Sequence, residues 1–370
     1  MLTRFEVANF KNFDKKITLD LTDTNMYLFN KDCVKEGVVN KALVYGHNGV
    51  GKSNLGFAIF DIISHLTDKN SAAECYKNYL NISNDSDIAE FVFTFQFDGN
   101  EVTYSYGKTD LETLVYEEIM INGNVYASID RRESSEAIIN AIGAESLRSD
   151  LGESKISLVS YIKKNSVLED NCENLCFFKF VEFVNGMLFF RSLDSNRYIG
   201  FQQGSRSLGK DIIENGNVKH FEKFLNRVGI ECRLSTIETS EQIDLAFDFN
   251  GKKVSFFEIA SQGTKSLALF YYWYQRLKGD SKVTFLFVDE FDAFYHHALS
   301  SAVVELIRDI DAQSVITTHN TSIMSNELLR PDCYFLMYPN KISSLTNNTS
   351  KELREAHNIE KMYKAGAFSG

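Results

Sequence analysis

The sequence predicts an α/β fold, a mixed sheet flanked by helices, and three apolar runs with polar ends predict it. Ala42-Leu43-Val44-Tyr45 runs into Gly46-His47-Asn48-Gly49-Val50-Gly51-Lys52-Ser53, and Ser53 to Ile63 then carries seven apolar residues, as a buried helix does. Val283-Thr-Phe-Leu-Phe-Val ends in Asp289-Glu290. Ser314-Val-Ile-Thr-Thr ends in His319-Asn320. Short apolar runs bounded by polar or glycine residues suit strands buried on both faces.

The glycine run fits the pattern G-x-x-x-x-G-K-[S/T] between a strand and a helix. Loop amides and the helix N-terminus then point at phosphate oxygens, and the glycines keep side chains out of the way. Lys52 adds a point charge on the outer phosphates, and the Ser53 hydroxyl suits a magnesium ion. Nucleotide binding is the expected chemistry.

Composition narrows the setting. With 370 residues the chain has room for about two domains. Its 30 Phe and 17 Tyr make aromatic cores, and two prolines leave no room for a proline-rich linker. No apolar run approaches the ~20 residues of a membrane span. Charges at Arg4 and Glu6 interrupt the apolar stretch a signal peptide needs, so a cytoplasmic protein is expected. The six cysteines (33, 75, 172, 176, 232, 333) show no framework spacing and read as free thiols. Cys172 and Cys176 fall one helical turn apart, without a second pair to complete a zinc site. A net charge of −11 argues against a surface that coats nucleic acid everywhere, though not against a local basic groove.

Along the chain, Thr3, Phe5 and Val7 and then Ile17, Leu19 and Leu21 alternate as an edge hairpin does, joined by Asn9-Phe10-Lys11-Asn12-Phe13. Residues 67–87 are polar and Asn-rich, a surface excursion. Phe91–Phe97, Asp98-Gly99-Asn100 and Val102–Tyr106 signal a hairpin, and a second is expected around Asn122-Gly123-Asn124. From Arg131 to Arg227 the texture changes: Glu136–Ile142, Cys176–Phe190 and Val218–Val228 read as helices, and 204–217 as a mobile loop. Strand-like runs return over Ile230–Phe249, turning at Phe249-Asn250-Gly251-Lys252, and a polar helix is expected from Lys351 to Lys364. There is no internal repeat and no heptad run of coiled-coil length.

Three later motifs narrow the chemistry. Asp289, at a strand end, can hold magnesium directly or through water, and Glu290 can polarise an attacking water. His319 stands where it can sense a γ-phosphate. Ala260-Ser261-Gln262-Gly263-Thr264-Lys265-Ser266 opens a helix of Leu267, Leu269, Phe270, Tyr272 and Trp273, a second helix N-terminus suited to an anion. One nucleotide needs one such cradle in its own protomer, so this site completes the pocket of another subunit. Standing alone, it would read as an ordinary helix N-cap.

In this order the motifs resemble the ABC-type ATPases: phosphate loop, signature helix, Walker B strand, switch histidine. Asn48-Gly49 and Asn54, with the opening Asn9–Phe13, are similar to the branch of chromosome-maintenance, recombination-mediator and overcoming-lysogenization-defect ATPases rather than to transporters. Asp289-Glu290-Phe-Asp-Ala-Phe-Tyr-His296-His297 and the tail Leu353 to Phe368 resemble stand-alone bacterial abortive-infection and phage-defence ATPases, such as the ATPase subunit of the phage anti-restriction-induced system. The resemblance covers roughly residues 1–107 and 250–370. It implies a two-lobed core: lobe I over 1–107, a mainly helical insertion over 108–229, and lobe II over 230–370. It further implies Asn48, Gly49, Gly51, Lys52, Ser53 and Asn54 as nucleotide ligands, Ser53 and Asp289 at magnesium, Glu290 as catalytic base and His319 as switch. Ser261 and Gly263 would reach the γ-phosphate of a facing protomer, with Ala293 to His297 at the seam. Gln262 and Thr264 depart from the transporter signature, and Gln96 is the candidate for a lobe-connecting glutamine.

By this resemblance the chain is an ATP- and Mg2+-dependent switch that closes as a homodimer or higher oligomer and controls a separate effector, a nuclease or toxin, in antiviral defence. The alternative is a DNA-repair or DNA-maintenance ATPase stimulated by DNA, and a transporter subunit is disfavoured by the opening motif and the signature. Asp309 and Asp311 read as solvent-facing, so no appended nuclease is expected.

Overall fold

The computed structural model describes residues 1–69, 73–191, 197–200, 208–238, 243–278, 282–292 and 297–368. Among these residues, two seven-stranded sheets, one three-stranded sheet and a two-stranded ribbon carry the architecture. The α/β fold expected from the sequence is the one observed.

One sheet has the order Arg197–Gly200, Met187–Arg191, Phe285–Asp289, Gln313–Thr318, Lys41–Tyr45, Tyr334–Tyr338, Lys341–Ser344. Its five central strands run parallel and its two edges antiparallel. Lys41–Tyr45, Phe285–Asp289 and Gln313–Thr318 are buried along their whole length, which explains their continuous apolar character. The helix Lys52–Phe60 packs on this sheet through Phe57 and Phe60, whose rings lie 5.5 and 5.2 Å from Phe189. Gly56 permits that approach: a Cβ there would stand 2.7 Å from both Phe189 and Phe287.

The other large sheet is antiparallel, with the order Ile138–Ile139, Asn124–Asp130, Leu114–Ile121, Asn100–Lys108, Ala89–Phe97, Leu2–Ala8, Ile17–Asp20. Phe91, Phe93 and Phe95 point to its buried face while Val92 and Thr94 are half-buried, the alternation expected when one face meets a core. Each such Phe stabilises the fold by about 1.5–3 kcal/mol through burial. The helix Cys172–Asn185 covers this face: Phe180 and Phe183 lie 5.4 and 5.2 Å from Phe95, and Phe183 also reaches Phe285 of the parallel sheet at 6.2 Å. Gln313 fastens the sheets together. Its Nε2 donates to Leu2 O (2.8 Å) and Val39 O (3.0 Å), and its Oε1 accepts from Leu2 N (2.9 Å).

A smaller meander, Leu234–Glu238, Ile243–Phe249 and Lys252–Ser255, packs with helices Leu208–Glu214, Val218–Arg227 and Gln262–Leu277. Phe221 joins them, 5.6 Å from Phe256 and 4.8 Å from Tyr271. The Asn250-Gly251 turn has φ of 55° and 91°, the left-handed pair a tight hairpin needs.

Several expectations change. Residues 108–229 do not form a mainly helical insertion: Leu114–Ile121 and Asn124–Asp130 extend the antiparallel sheet, and Met187–Arg191 sits inside the parallel one. Glu136–Ile142 is not a helix, because Ile138 and Ile139 pair with Ser128 and Ala127. Cys176–Phe190 is not one helix. It stops at Gly186, where a Cβ would collide with Thr284, and the aromatic run beyond enters the sheet. Leu208–Glu214 is helical within the stretch read as a loop, of which 204–207 lie outside the described residues. The tail helix begins only at Ile359, where Asn358 Oδ1 accepts from Lys361 N at 2.8 Å. Leu2–Ala8 is interior, since both neighbours pair with it; Ile17–Asp20 is the edge.

Candidate nucleotide site

The expected loop forms at the C-terminal end of Lys41–Tyr45. Gly49 and Gly51 take φ of 85° and 108°, which an L side chain resists, and a Cβ at Gly51 would run into the Asn12 carboxamide. That carboxamide braces the loop: Asn12 Nδ2 donates to Val50 O (3.1 Å) while its Oδ1 accepts from Asn54 Nδ2 (2.6 Å). Asn54 therefore spends its side chain on the brace. Asn48 and Gly49 are exposed at the loop's crest. Lys52 is nearly enclosed, its Nζ donating to the carbonyls of Gly46 (2.9 Å) and His47 (3.2 Å) and lying 3.4 Å from Glu290 Oε1.

Below the loop, three neighbouring strands and one helix converge. Ser53 Oγ donates to Asp289 Oδ2 at 2.6 Å, and Thr317 Oγ1 donates to Asp289 Oδ1 at 2.8 Å. The same Thr317 oxygen accepts from Glu290 N at 2.8 Å. Burial pushes the Asp289 carboxyl up, and the Ser53 and Thr317 hydrogen bonds pull against it. Glu290 has φ of 44°, an uncommon conformation for a non-glycine residue, held by the Thr317 bond. Arg191 lies in register beside Asp289 and stacks over Phe57 with its guanidinium 4.7 Å from the ring.

His319 is exposed just beyond Thr318, whose hydroxyl donates to the buried Asp292 carboxylate at 2.9 Å and accepts from Asn320 N. Burial pushes the Asp292 carboxyl up as well. The tail returns here: Tyr363 packs edge-on against Tyr45, 5.0 Å between centroids.

The signature residues open another helix, Gln262–Leu277. Ser261 caps the helix Gln262–Leu277, its Oγ accepting from Thr264 N at 3.2 Å; Ser261 and Gln262 are exposed and Gly263 half-exposed. Among the described residues, no hydrogen bond runs from Ser261 or Gly263 to the phosphate loop. Residues 293–296 of the expected seam lie outside the described residues. Gln96 sits in the sheet opposite Glu101, and the glutamine side chain that bridges sheets is that of Gln313. Asn12, Thr317 and Arg191 were not singled out from the sequence. Asn12 lay within the quoted opening motif and Thr317 two residues before His319, but neither position announces its partner.

The residue set suits a nucleotide with a divalent metal. The glycine cradle admits no Cβ at Gly51, and the Ser53 hydroxyl beside the Asp289 carboxylate is a hard-oxygen pair of the kind magnesium takes.

Residues 41–325 match the family described as "AAA domain, putative AbiEii toxin, Type IV TA system". No curated protein matches. Among solved structures, the chain is similar to one described as "Crystal structure of the SmcHead bound to the C-winged helix domain of ScpA", at 18% identity over 94% of this chain and 98% of that one, with a TM-score of 0.48. It is similar also to the SMC head domain from Thermotoga maritima, at 13% identity over 93% and 98%, with a TM-score of 0.42. The family match spans well over half of the sequence, and the chain belongs to the AAA-domain family of putative AbiEii toxins of type IV toxin–antitoxin systems.

Proposed function

We propose that the chain is an ATP-hydrolysing switch whose nucleotide is shared between two copies, and that it controls a separate effector in antiviral defence. The observation that carries the ATPase reading is the Ser53–Asp289–Thr317–Glu290 hydrogen-bond chain directly under the phosphate loop. In this reading Asn48, Gly49 and Gly51 offer backbone to phosphate oxygens, and Lys52 turns from the loop carbonyls toward them. Ser53 and Asp289 hold magnesium, which supplies charge neutralisation for the leaving phosphates. Glu290 accepts a proton from the attacking water, and its backbone is fixed for that task by Thr317. His319, exposed at the end of its strand, is free to meet a γ-phosphate.

Sharing of the site is supported by the exposed N-terminus of Gln262–Leu277, which makes no hydrogen bond to the loop of its own chain among the described residues. Ser261 and Gly263 are assigned to the nucleotide of a facing copy. The family description, with its toxin–antitoxin wording, supports a role in conflict. The expected setting is the cytoplasm; among the described residues no helix is long and apolar enough to cross a membrane.

The test is Glu290→Gln co-expressed with its flanking genes, read as native mass with and without ATP and magnesium. An ATP-dependent particle containing a second protein supports the switch and identifies the effector. An ATP-dependent bare dimer keeps the shared site and shifts the role toward DNA. A monomer with ATP bound overturns the shared site.

A further inference from the structure

Four neighbouring strands of the parallel sheet end on the side of the phosphate loop, and three of those ends carry the candidate site. They bear the loop itself, Thr317 with His319, and Asp289 with Glu290. The fourth strand, Met187–Arg191, ends on an arginine. Ligands of open parallel sheets lie outside the carboxyl ends of the strands, so Arg191 stands next in the row that faces a nucleotide's outer phosphates.

Contacts fix the direction of its side chain. Arg191 and Asp289 are register partners in a parallel pair, so their side chains leave the same face of the sheet. Asp289 reaches Ser53 at the start of the helix Lys52–Phe60, and Arg191 reaches Phe57 about one turn further along it, its guanidinium 4.7 Å from the ring. Burial pushes the Asp289 carboxyl up and the Arg191 charge opposes it, so the two groups act on each other. The guanidinium is clamped in this place. Its Nη1 donates to Cys75 Sγ (3.1 Å), and the hydroxyl of Tyr76, the next residue of the same turn, donates to Phe57 O (2.9 Å). Lys11, another cation over Phe57, is committed to the carbonyls of Cys75 (2.9 Å) and Lys77 (3.0 Å).

We propose that Arg191 sets the preference for a nucleoside triphosphate over a diphosphate, its clamped charge offsetting the extra negative charge that an outer phosphate brings beside Asp289 and Glu290. Lys52 lies 3.4 Å from Glu290 on the loop side, and Arg191 supplies a cation from the opposite side of Asp289. One added unit charge about 7 Å from a guanidinium in a partly buried site changes affinity about tenfold or more. This assignment rests on the nucleotide reading of the loop and names the residue that reads the third phosphate.

Calorimetric titration of the full chain with magnesium and either ADP or the non-hydrolysable imido analogue of ATP tests it, with the melting midpoint of the nucleotide-free chain measured alongside. The wild type is expected to prefer the analogue. Arg191→Met, which keeps the length and the packing over Phe57, should lower that preference about tenfold with ADP affinity little changed, and Arg191→Lys should retain most of it. A purely structural arginine would lower both affinities together. Should Arg191→Met not fold, Cys75→Ala carries the test: it releases the clamp while keeping the charge and should lower the preference about threefold. No preference in the wild type, an unchanged preference in the folded variants, or equal losses for both ligands overturns this inference and leaves the nucleotide site standing. A wild-type chain that binds neither ligand overturns the nucleotide reading and this inference with it.

Discussion

The helix Lys52–Phe60 and the helix Gln262–Leu277 both begin with N-termini suited to an anion, and they begin in opposite surroundings. The first starts at Gly51 inside a cage, with Asn12 bracing the loop, Lys52 folded against it, and Ser53 tied to Asp289 on another strand. The second starts in the open, with the Ser261 hydroxyl bonded to Thr264 of its own first turn. The caged end has its counterparts within one chain. The open end, in our reading, waits for another copy.

The comparison is broken most directly by complementation. Lys52→Ala should remove nucleotide-dependent turnover by 100-fold or more, and Ser261→Arg should do the same by blocking the open end while leaving ATP binding intact. Mixing the two variants should restore turnover well above either alone, because a mixed dimer contains one unspoiled composite site. A mixture no more active than its parts would place the whole site in one chain.

Behind the caged end lies a buried ion pair. Lys108 Nζ and Asp61 Oδ2, both fully buried, stand 2.9 Å apart at the end of the phosphate-loop helix, and Tyr79 and Tyr106 donate to the same carboxylate. Lys108→Met leaves that carboxylate without its cation, and chemical denaturation should show a loss of about 3–5 kcal/mol. The second helix has a pair at its own far end, Arg276 with Asp211 at 2.5 Å, but at its start Ser261 supplies only a cap, so Ser261→Ala should cost about 1 kcal/mol.

Thr317→Val tests the strand crossing between the two acids. It removes one hydrogen bond to Asp289 and one from Glu290 N, and stability should fall by about 1–3 kcal/mol with turnover falling further than the affinity for nucleotide. Equal effects on both would mean that Thr317 supports the fold without fixing Glu290.

A further effect is in pH. His65 is held well below its ordinary value by burial, then by the charges of Lys108 and Arg131. Below pH 6.5 the unfolded chain takes up a proton there and the folded chain does not, so stability falls as pH drops, at most about 1.4 kcal/mol per unit. His65→Phe should flatten the unfolding midpoint between pH 6.5 and 5; an unchanged slope assigns the acid sensitivity elsewhere.

Much of the architecture was legible because it is local. An apolar strand, a glycine loop and an apolar helix adjoin in sequence, and so do the apolar run and Asp289-Glu290. The hairpins at Gly99 and Gly123 announced themselves by turn chemistry. The helices expected over Glu136–Ile142 and Cys176–Phe190 failed for the complementary reason. Short apolar runs lack a decisive period, and Ile138, Ile139 and Phe189 became strands because a sheet edge or neighbour was available to pair with them.

The sequence by itself singled out the residues we assign to phosphate and metal, since that chemistry is written in adjacent positions of one loop and one strand end. Tertiary structure decided what holds them. Asn12 reaches Val50 and Asn54 across 38 and 42 residues, Ser53 reaches Asp289 across 236, and Gln313 joins two sheets across 311. Each is a short polar side chain satisfying a buried group far away in the chain. Such a bond depends on where the backbone passes after folding, and no local pattern of residues encodes it.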